Sequence, residues 1–242
     1  VAQGVELAAH PWCPGAWSAP WDTKRLVETV SRGEAYAQDP SSQLVAHVAR
    51  SIVPAGSRVV DLCAAPGGKM ALMLNLGGPG AAAAADLHLN RTRLMRSTLE
   101  RAGECAIVTA DAMNPPFVGE GWDLVLLDAP CTGTGTFRRH PELKWRLDPE
   151  SVLGLVVKQR DLLAAAVKLV SPGGSLLYTT CSIEPEENER IAADLPEGFE
   201  ILSLEPHLPS GVPWRPTGVG GIRILPNPDG DGFTMHAVRR IA

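Results

Sequence analysis

The sequence predicts an α/β fold built on a doubly wound, mostly parallel sheet, and three observations carry that expectation. From Arg58 onward, short apolar runs alternate with segments of helical period, the pattern of strand–helix–strand units. A glycine-rich turn, Cys63-Ala64-Ala65-Pro66-Gly67-Gly68-Lys69, joins the first such run to a helix. Cys63, Asp86, Asp128 and Cys181 all fall at predicted strand ends, the edge outside which sheets of this class bind ligands.

The elements follow in order. Residues 1–40 are rich in Trp, Pro and Gly and show little periodicity before Thr23–Val30, so an irregular N-terminal extension is expected. Residues 41–52 read as a helix, with Ser41 or Ser42 as cap and Leu44, Val45, Val48 and Ile52 as the apolar stripe. Arg58–Cys63 is a short apolar run ending in a turn, as buried parallel strands are. Helix Gly68–Leu76, strand Ala81–Asp86, helix Arg91–Ala102 and strand Ala106–Thr109 come next. Trp122–Asp128 is the strongest strand, with Leu124-Val125-Leu126-Leu127 at its centre. Asp148–Val170 reads as a long helix with Asp148 as N-cap and Pro149 at the favoured first position; Ser171-Pro172-Gly173-Gly174 stops it. Strand Ser175–Thr180, a short helix Pro185–Asp194, strand Glu200–Leu204 and a last, antiparallel strand Phe233–Val238 complete the reading.

Composition sets the bounds. The 242 residues are 45% hydrophobic and 20% charged, enough for one sizeable domain. The apolar run Ala81–Ala85 is far short of the about 20 residues a membrane span needs, and no signal-peptide pattern occurs. Five cysteines, an odd and scattered set, argue against a disulfide scaffold and for a reducing, cytoplasmic compartment. No Cys-x-x-Cys pair occurs, and no metal is expected. The net charge of −5 argues against indiscriminate coating of nucleic acid but leaves room for a local basic groove. Val1 in place of Met fits a piece of a longer protein.

The glycine-rich turn lets backbone approach a ligand and opens a helix whose first N–H groups are free. Asp86 follows Asp61 by 25 positions, close to the spacing at which a carboxylate meets ribose hydroxyls. Asp111, after the third strand, is placed to meet an adenine edge. Taken singly, each has a plain structural reading: a turn, a helix cap, a loop carboxylate. Their order over successive strands is what a nucleoside-containing cofactor requires. Beside it stand two cysteines in turn-like settings after apolar runs, Cys131 in Asp128-Ala129-Pro130-Cys131-Thr132-Gly133 and Cys181 in Thr179-Thr180-Cys181-Ser182. A cysteine is most often a small buried apolar residue; two of them at strand ends beside a cofactor turn suggest covalent chemistry on a flat electrophilic substrate.

Asp-Leu-Cys-Ala-Ala-Pro-Gly-Gly-Lys (61–69), Asp-Ala-Pro-Cys-Thr-Gly-Thr-Gly (128–135) and Thr-Cys-Ser-Ile-Glu-Pro-Glu-Glu-Asn-Glu (180–189) closely resemble the motifs of the Sun/Nop-type RNA cytosine-5 methyltransferases. Residues 38–44, 139–145 and Asp231-Gly232-Phe233 also match, so the resemblance covers about residues 35–240. It implies a Rossmann-like class I methyltransferase fold over residues 41–242, with residues 1–40 as an extension or the remnant of an RNA-binding segment. It implies S-adenosylmethionine as cofactor, met by Cys63, Ala64, Ala65, Pro66, Gly67, Gly68, Lys69, Asp86, Arg91, Asp111 and Asp128.

Carbon 5 of cytosine becomes nucleophilic only after a thiolate adds to carbon 6, and a free thiol is only a few per cent ionised at neutral pH. Chemistry alone does not choose between the thiols: DNA cytosine-5 methyltransferases attack with the Pro-Cys cysteine, which here is Cys131. The family resembled attacks with the Thr-Cys cysteine, Cys181, and gives Cys131 to product release. Asp128 and Lys69 complete the expected catalytic set. Arg138, Arg139, His140, Lys144 and Arg146, with Trp145 among them, form a local basic run after the Cys131 loop. Such runs are usually solvated loops; this placement makes it a candidate phosphate-contact surface. The expected activity is methylation of a cytosine in RNA, with small-subunit ribosomal RNA as substrate and the protein a monomer. Transfer RNA, or an inactive RNA-binding scaffold, is the alternative; a small-molecule or protein methyltransferase usually lacks the paired cysteine motifs.

Overall fold

Five short runs form the parallel half of one sheet, and the central ones are covered on both faces. In a computed structural model that describes residues 7–18, 23–78, 80–117, 121–145, 147–194 and 196–241, the chain opens with a small hairpin, β1 (Ala8–Ala9) and β2 (Trp17–Ser18), then helices α1 (Thr23–Ser31) and α2 (Pro40–Ser51). The parallel strands are β3 (Arg58–Asp61), β4 (Ala81–Asp86), β5 (Ala106–Thr109), β6 (Trp122–Asp128) and β7 (Val170–Thr180). Between them lie α3 (Gly68–Asn75), α4 (Leu89–Leu99) and α5 (Pro149–Ala166). The chain continues through α6 (Glu189–Ala192), β8 (Phe199–Leu202), β9 (Trp214–Pro216), β10 (Ile222–Ile224) and β11 (Phe233–Arg240).

The sheet order is β5-β4-β3-β6-β7-β11-β10-β9, with β8 on the same edge of β11 as β10. The last strand is antiparallel to β7, as expected. Successive side chains on a strand face opposite sides, so Val59, Leu124, Leu126 and Leu177 enter one core with Leu44, Met70, Met73, Met95 and Leu99 from α2, α3 and α4. Val60, Val125, Leu127, Leu176 and Tyr178 enter the other with Val156, Leu162, Leu163 and Ile191 from α5 and α6. The chain reverses direction across the sheet between β3 and β6, which places the topological switch, and the ligand crevice, at the ends of those two strands.

Several elements differ from the sequence expectation. The α2 cap is Asp39, whose carboxylate accepts from the Ser41 amide at 2.9 Å; Ser41 instead donates to the Asp231 carbonyl. Asp148 caps α5 as expected, through the Glu150 and Ser151 amides. That helix ends at Ala166, and Val170 already pairs with Trp122. Ser171-Pro172-Gly173-Gly174 is therefore a bulge within β7, held by Ser171 donating to the Trp122 carbonyl and the Asp123 carboxylate, and pairing resumes at Leu124↔Ser175. β9, β10 and the N-terminal hairpin were not expected.

Three loops meet at Gly135. Its amide donates to the Cys181 carbonyl at 3.0 Å, and its carbonyl accepts from the Gly232 amide at 2.8 Å. A Cβ there would lie 2.3 Å from the Gly232 oxygen and 2.8 Å from the Cys181 oxygen. Backbone cannot yield as a flexible side chain does, so Gly135→Ala is expected to cost about 1–3 kcal/mol. Urea denaturation should show a lower midpoint at unchanged slope; an unchanged midpoint would show that the loops have room.

Candidate active site

At the switch point the sheet presents two carboxylates, Asp61 ending β3 and Asp128 ending β6. The turn Cys63–Lys69 passes between them. Gly67 takes φ +100°, which requires glycine, and a Cβ on Gly68 would displace the Tyr36 ring, 2.4 Å away. A pocket of about 130 Å³ results, lined by Asp61, Cys63, Ala64, Ala65, Pro66, Gly68, Lys69 and Asp128, with Tyr36, Gln38 and Ser42 arriving from the N-terminal segment. A wider cleft of about 850 Å³ shares Tyr36, Ala37 and Gln38 and is lined by Glu34, but not by Cys131, Cys181, Asp61 or Asp128.

Lys69 and Asp128 form an ion pair at 2.7 Å. Burial alone would lower the lysine, but Asp128 and then Asp61 outweigh it and hold the ammonium above its usual range. The other Asp128 oxygen accepts from the Thr179 hydroxyl at 2.8 Å, so the carboxylate is fixed from both sides. Asp86 is buried at the end of β4; it accepts from the His88 amide at 3.1 Å and pairs with Arg91 at 3.1 Å. Arg91 also donates to the Ala65 carbonyl at 2.9 Å, so its guanidinium ties the glycine-rich turn to Asp86. Asp111, just after β5, is exposed and closes a local turn by accepting from the Met113 amide; it is not among the residues lining the pocket.

The thiols of Cys131 and Cys181 lie 3.4 Å apart. Their surroundings differ. Cys131 is pushed well up, first by its hydrogen bond to Cys181, then by burial and by the negative charge at Cys181 and Glu187. Cys181 is held below its ordinary value, first by the hydrogen bond from Cys131 and further by Lys69, against burial and Asp128. Cys181 is therefore the more acidic of the two thiols, with Cys131 as the donor in the contact between them. The other cysteines go the opposite way: burial pushes Cys13 and Cys105 up to about 12 and Cys63 higher still.

The basic run is partly neutralised from within. Arg139 donates to Asp231 at 2.7 Å, and Arg138 lies 3.6 Å from the same carboxylate. The Asp231 amide in turn donates to the Asp39 carboxylate. The two guanidinium groups remain 44% and 46% exposed. His140 faces Glu142 at 3.3 Å, Lys144 lies over the Phe137 ring, and Trp145 is 90% exposed. Arg146 lies outside the described residues. Among the described residues no group of His, Cys, Asp or Glu is placed to hold a metal ion, and no helix is long and apolar enough to cross a membrane.

The model of the 16S rRNA methyltransferase RsmB/F family matches residues 53–238. The chain belongs to that family. It is 38% identical over 240 residues to "Ribosomal RNA small subunit methyltransferase B" of Sodalis glossinidius, covering 95% of this chain and 53% of that protein. It is 36% identical over 253 residues to "Probable ribosomal RNA small subunit methyltransferase B" of Bacillus subtilis, covering 99% and 55%. The chain thus spans about half the length of these relatives. Among solved structures, NSun6 from Pyrococcus horikoshii with SFG superposes at TM-score 0.75 with 28% identity, over 89% of this chain and 55% of that one. A methyltransferase homolog from the same organism superposes at 0.78 with 26% identity, over 98% and 79%. The RsmB/F family and the Rossmann-like methyltransferase fold agree with the sequence expectation.

Sequence reasoning did not single out Tyr36, Thr179, Gln159 or Glu187 for the site, and Asp61 entered only as a spacing mark. Asp61 is fully buried, and its Oδ2 has no hydrogen-bond partner among the described residues. Burial first, then the Asp128 charge, raises it to about 7, against Lys69 and the Cys63 amide. The folded chain thus keeps a proton that the unfolded chain loses near pH 3.9. Between that pH and about 7 the contribution of Asp61 to stability falls as pH rises. Asp61→Asn should therefore gain stability relative to the wild type across that window, measured by urea denaturation in a pH series without cofactor. A difference that does not change with pH would contradict the assignment.

Proposed function

We propose that this chain is an RNA methyltransferase that transfers a methyl group from S-adenosylmethionine to carbon 5 of a cytosine through a covalent adduct with Cys181. The contact of 3.4 Å between two thiols in the turns that follow neighbouring strands, beside the Lys69–Asp128 pair, carries this reading. Small-subunit ribosomal RNA is the substrate class, on the strength of what the relatives are called. Residues 41–242 are the catalytic domain, residues 1–40 an extension that lends Tyr36 and Gln38 to the pocket, and the cytoplasm is the compartment.

The pocket's residues fit the cofactor. The unpartnered Asp61 oxygen is an acceptor for an ammonium group, the Gly67-Gly68 cradle admits close backbone approach, and Asp86, at the end of the next strand, is the acceptor for ribose hydroxyls. Cys63 through Lys69 and Asp128 line the remainder; Arg91 acts by holding Asp86, and Asp111 takes the adenine edge. When bound, S-adenosylmethionine supplies an electrophilic methyl group.

The chain's own residues do the rest. The Cys181 thiolate forms a bond to carbon 6, and the electrons of the C5–C6 double bond move into the ring, making carbon 5 nucleophilic. Asp128 accepts from the base's exocyclic amine and so orients the ring, while the Lys69 ammonium meets the developing negative charge. After methylation a base takes the carbon-5 proton. The C–H electrons rebuild the double bond, and the C6–S pair returns to Cys181. Cys131 donates to the departing sulfur as it did in the free enzyme, which makes it a better leaving group. Arg138, Arg139, His140, Lys144 and Arg146 serve the phosphates, and Trp145 offers a stacking face.

Cys181→Ala should abolish methyl transfer and leave cofactor binding intact. Cys131→Ala should methylate once and then stall, giving on a denaturing gel a slow-migrating protein–RNA band that needs S-adenosylmethionine for full yield. The band should vanish in the double variant. A band that survives there, or a Cys131→Ala enzyme that turns over normally, would overturn the division of labour.

A further inference from the structure

Cys131 is held from both sides by one pair of buried side chains. On its N-terminal side, the Gln159 amide donates to the Pro130 carbonyl at 2.9 Å. On its C-terminal side, the Thr132 amide donates to the Glu187 carboxylate at 2.9 Å, and the Thr132 hydroxyl donates to the other Glu187 oxygen. Gln159 and Glu187 are themselves joined at 3.0 Å. Both are fully buried. Tyr178 secures the Glu187 backbone from β7 by donating to its carbonyl at 2.7 Å. The peptides flanking the thiol thus cannot shift without breaking a buried hydrogen bond.

We infer that Glu187 is a positioning residue of the release step, holding Cys131 against Cys181 through the Cys131–Thr132 peptide. The inference rests on the division of labour between the thiols proposed above and adds a residue to it. Two features favour this over a purely structural role. A buried carboxylate is a costly way to receive neutral donors; a loop that needed only fastening could be fastened by a neutral acceptor. The charge also stands at a particular end of the thiol pair: Glu187 opposes ionisation of Cys131, while Lys69 favours ionisation of Cys181. The hydrogen bond between the thiols and burial act first, and these two charges add to them in favouring the proton on Cys131. That is the state in which Cys131 can donate to the departing Cys181 sulfur.

Glu187→Gln removes the charge and puts an amide NH₂ where one of the two oxygens accepts, the one that faces the Thr132 hydroxyl if the other is to keep the Thr132 and Gln159 N–H groups. With the full chain, substrate RNA and S-adenosylmethionine, its first turnover should stay within about threefold of wild type. Steady-state turnover should fall about 10–100-fold, the effect of losing a hydrogen bond to a charged group. The covalent RNA band should accumulate as it does in Cys131→Ala. Thr132→Val should shift the same ratio less, and Thr132→Ser, which restores the hydroxyl, should return it to wild type. That rescue, and the split between first and later turnovers, are not what a general loosening of the fold gives. Should Glu187→Gln fail to fold, the Val and Ser variants at Thr132 decide. Normal turnover in Glu187→Gln, or a first turnover reduced together with cofactor binding and with no band, overturns the inference. If Cys131→Ala traps RNA and the folded Glu187→Gln does not, the inference alone falls. If Cys131→Ala traps nothing, the release reading falls and takes the inference with it.

Discussion

Leu126, Leu127 and Asp128 lie opposite Leu177, Tyr178 and Thr179 on neighbouring parallel strands, and that register decides where the two thiols go. Asp128 and Thr179 end the ladder side by side and are joined through their side chains. Three residues beyond one and two beyond the other come Cys131 and Cys181. Parallel strands finish at the same level, so the turns that follow them must share the space above the sheet. A one-residue slip of β7 would reverse its faces, sending Thr179 and Leu177 to the wrong core and parting the thiols. The buried apolar runs of β6 and β7 exist to prevent that slip, and in this sense the hydrophobic core sets the chemistry.

The loops above those strands are fastened by polar groups because they have too little apolar surface to pack. Ser182, Thr134, Thr180, Asn188 and Thr234 exchange hydrogen bonds in a buried cluster, and Gly135 threads between the Cys181 and Gly232 backbones. On the other flank Asp39 caps α2 while receiving the Asp231 amide, and Asp231 receives Arg139. The N-terminal segment, the Cys131 loop and the approach to β11 are thereby locked together. The hydrogen bond between the thiols then shifts two chemically identical groups in opposite directions, Cys131 up and Cys181 down, with Glu187 and Lys69 adding to the difference.

Much of this was legible in the sequence. β4, β5 and β6 fall on the residues expected because each is built on an apolar run bounded by turns. The thiol pair and the Lys69 turn were identified because they sit at the ends of such runs. What escaped notice depends on contacts distant in the chain. Glu187 lies in the acidic run Glu184-Pro185-Glu186-Glu187, whose composition suggests a solvated surface; only its partners Thr132 and Gln159 show otherwise. Arg138 and Arg139 read as free cations because the acids that meet them, Asp39 and Asp231, are about 90 or more residues away. β9 and β10 are three residues each and lack a run long enough to show a period.

The central claim is that the fold itself makes Cys181 more acidic, and so more reactive, than Cys131. Alkylation of the wild-type chain by a limiting amount of iodoacetamide at neutral pH, with the labelled cysteines identified by peptide mass spectrometry, tests it most directly. The account predicts that Cys181 takes up label first, ahead of Cys131 and of Cys13, Cys63 and Cys105, and that Lys69→Met slows that labelling. Labelling of Cys131 ahead of Cys181 would contradict it.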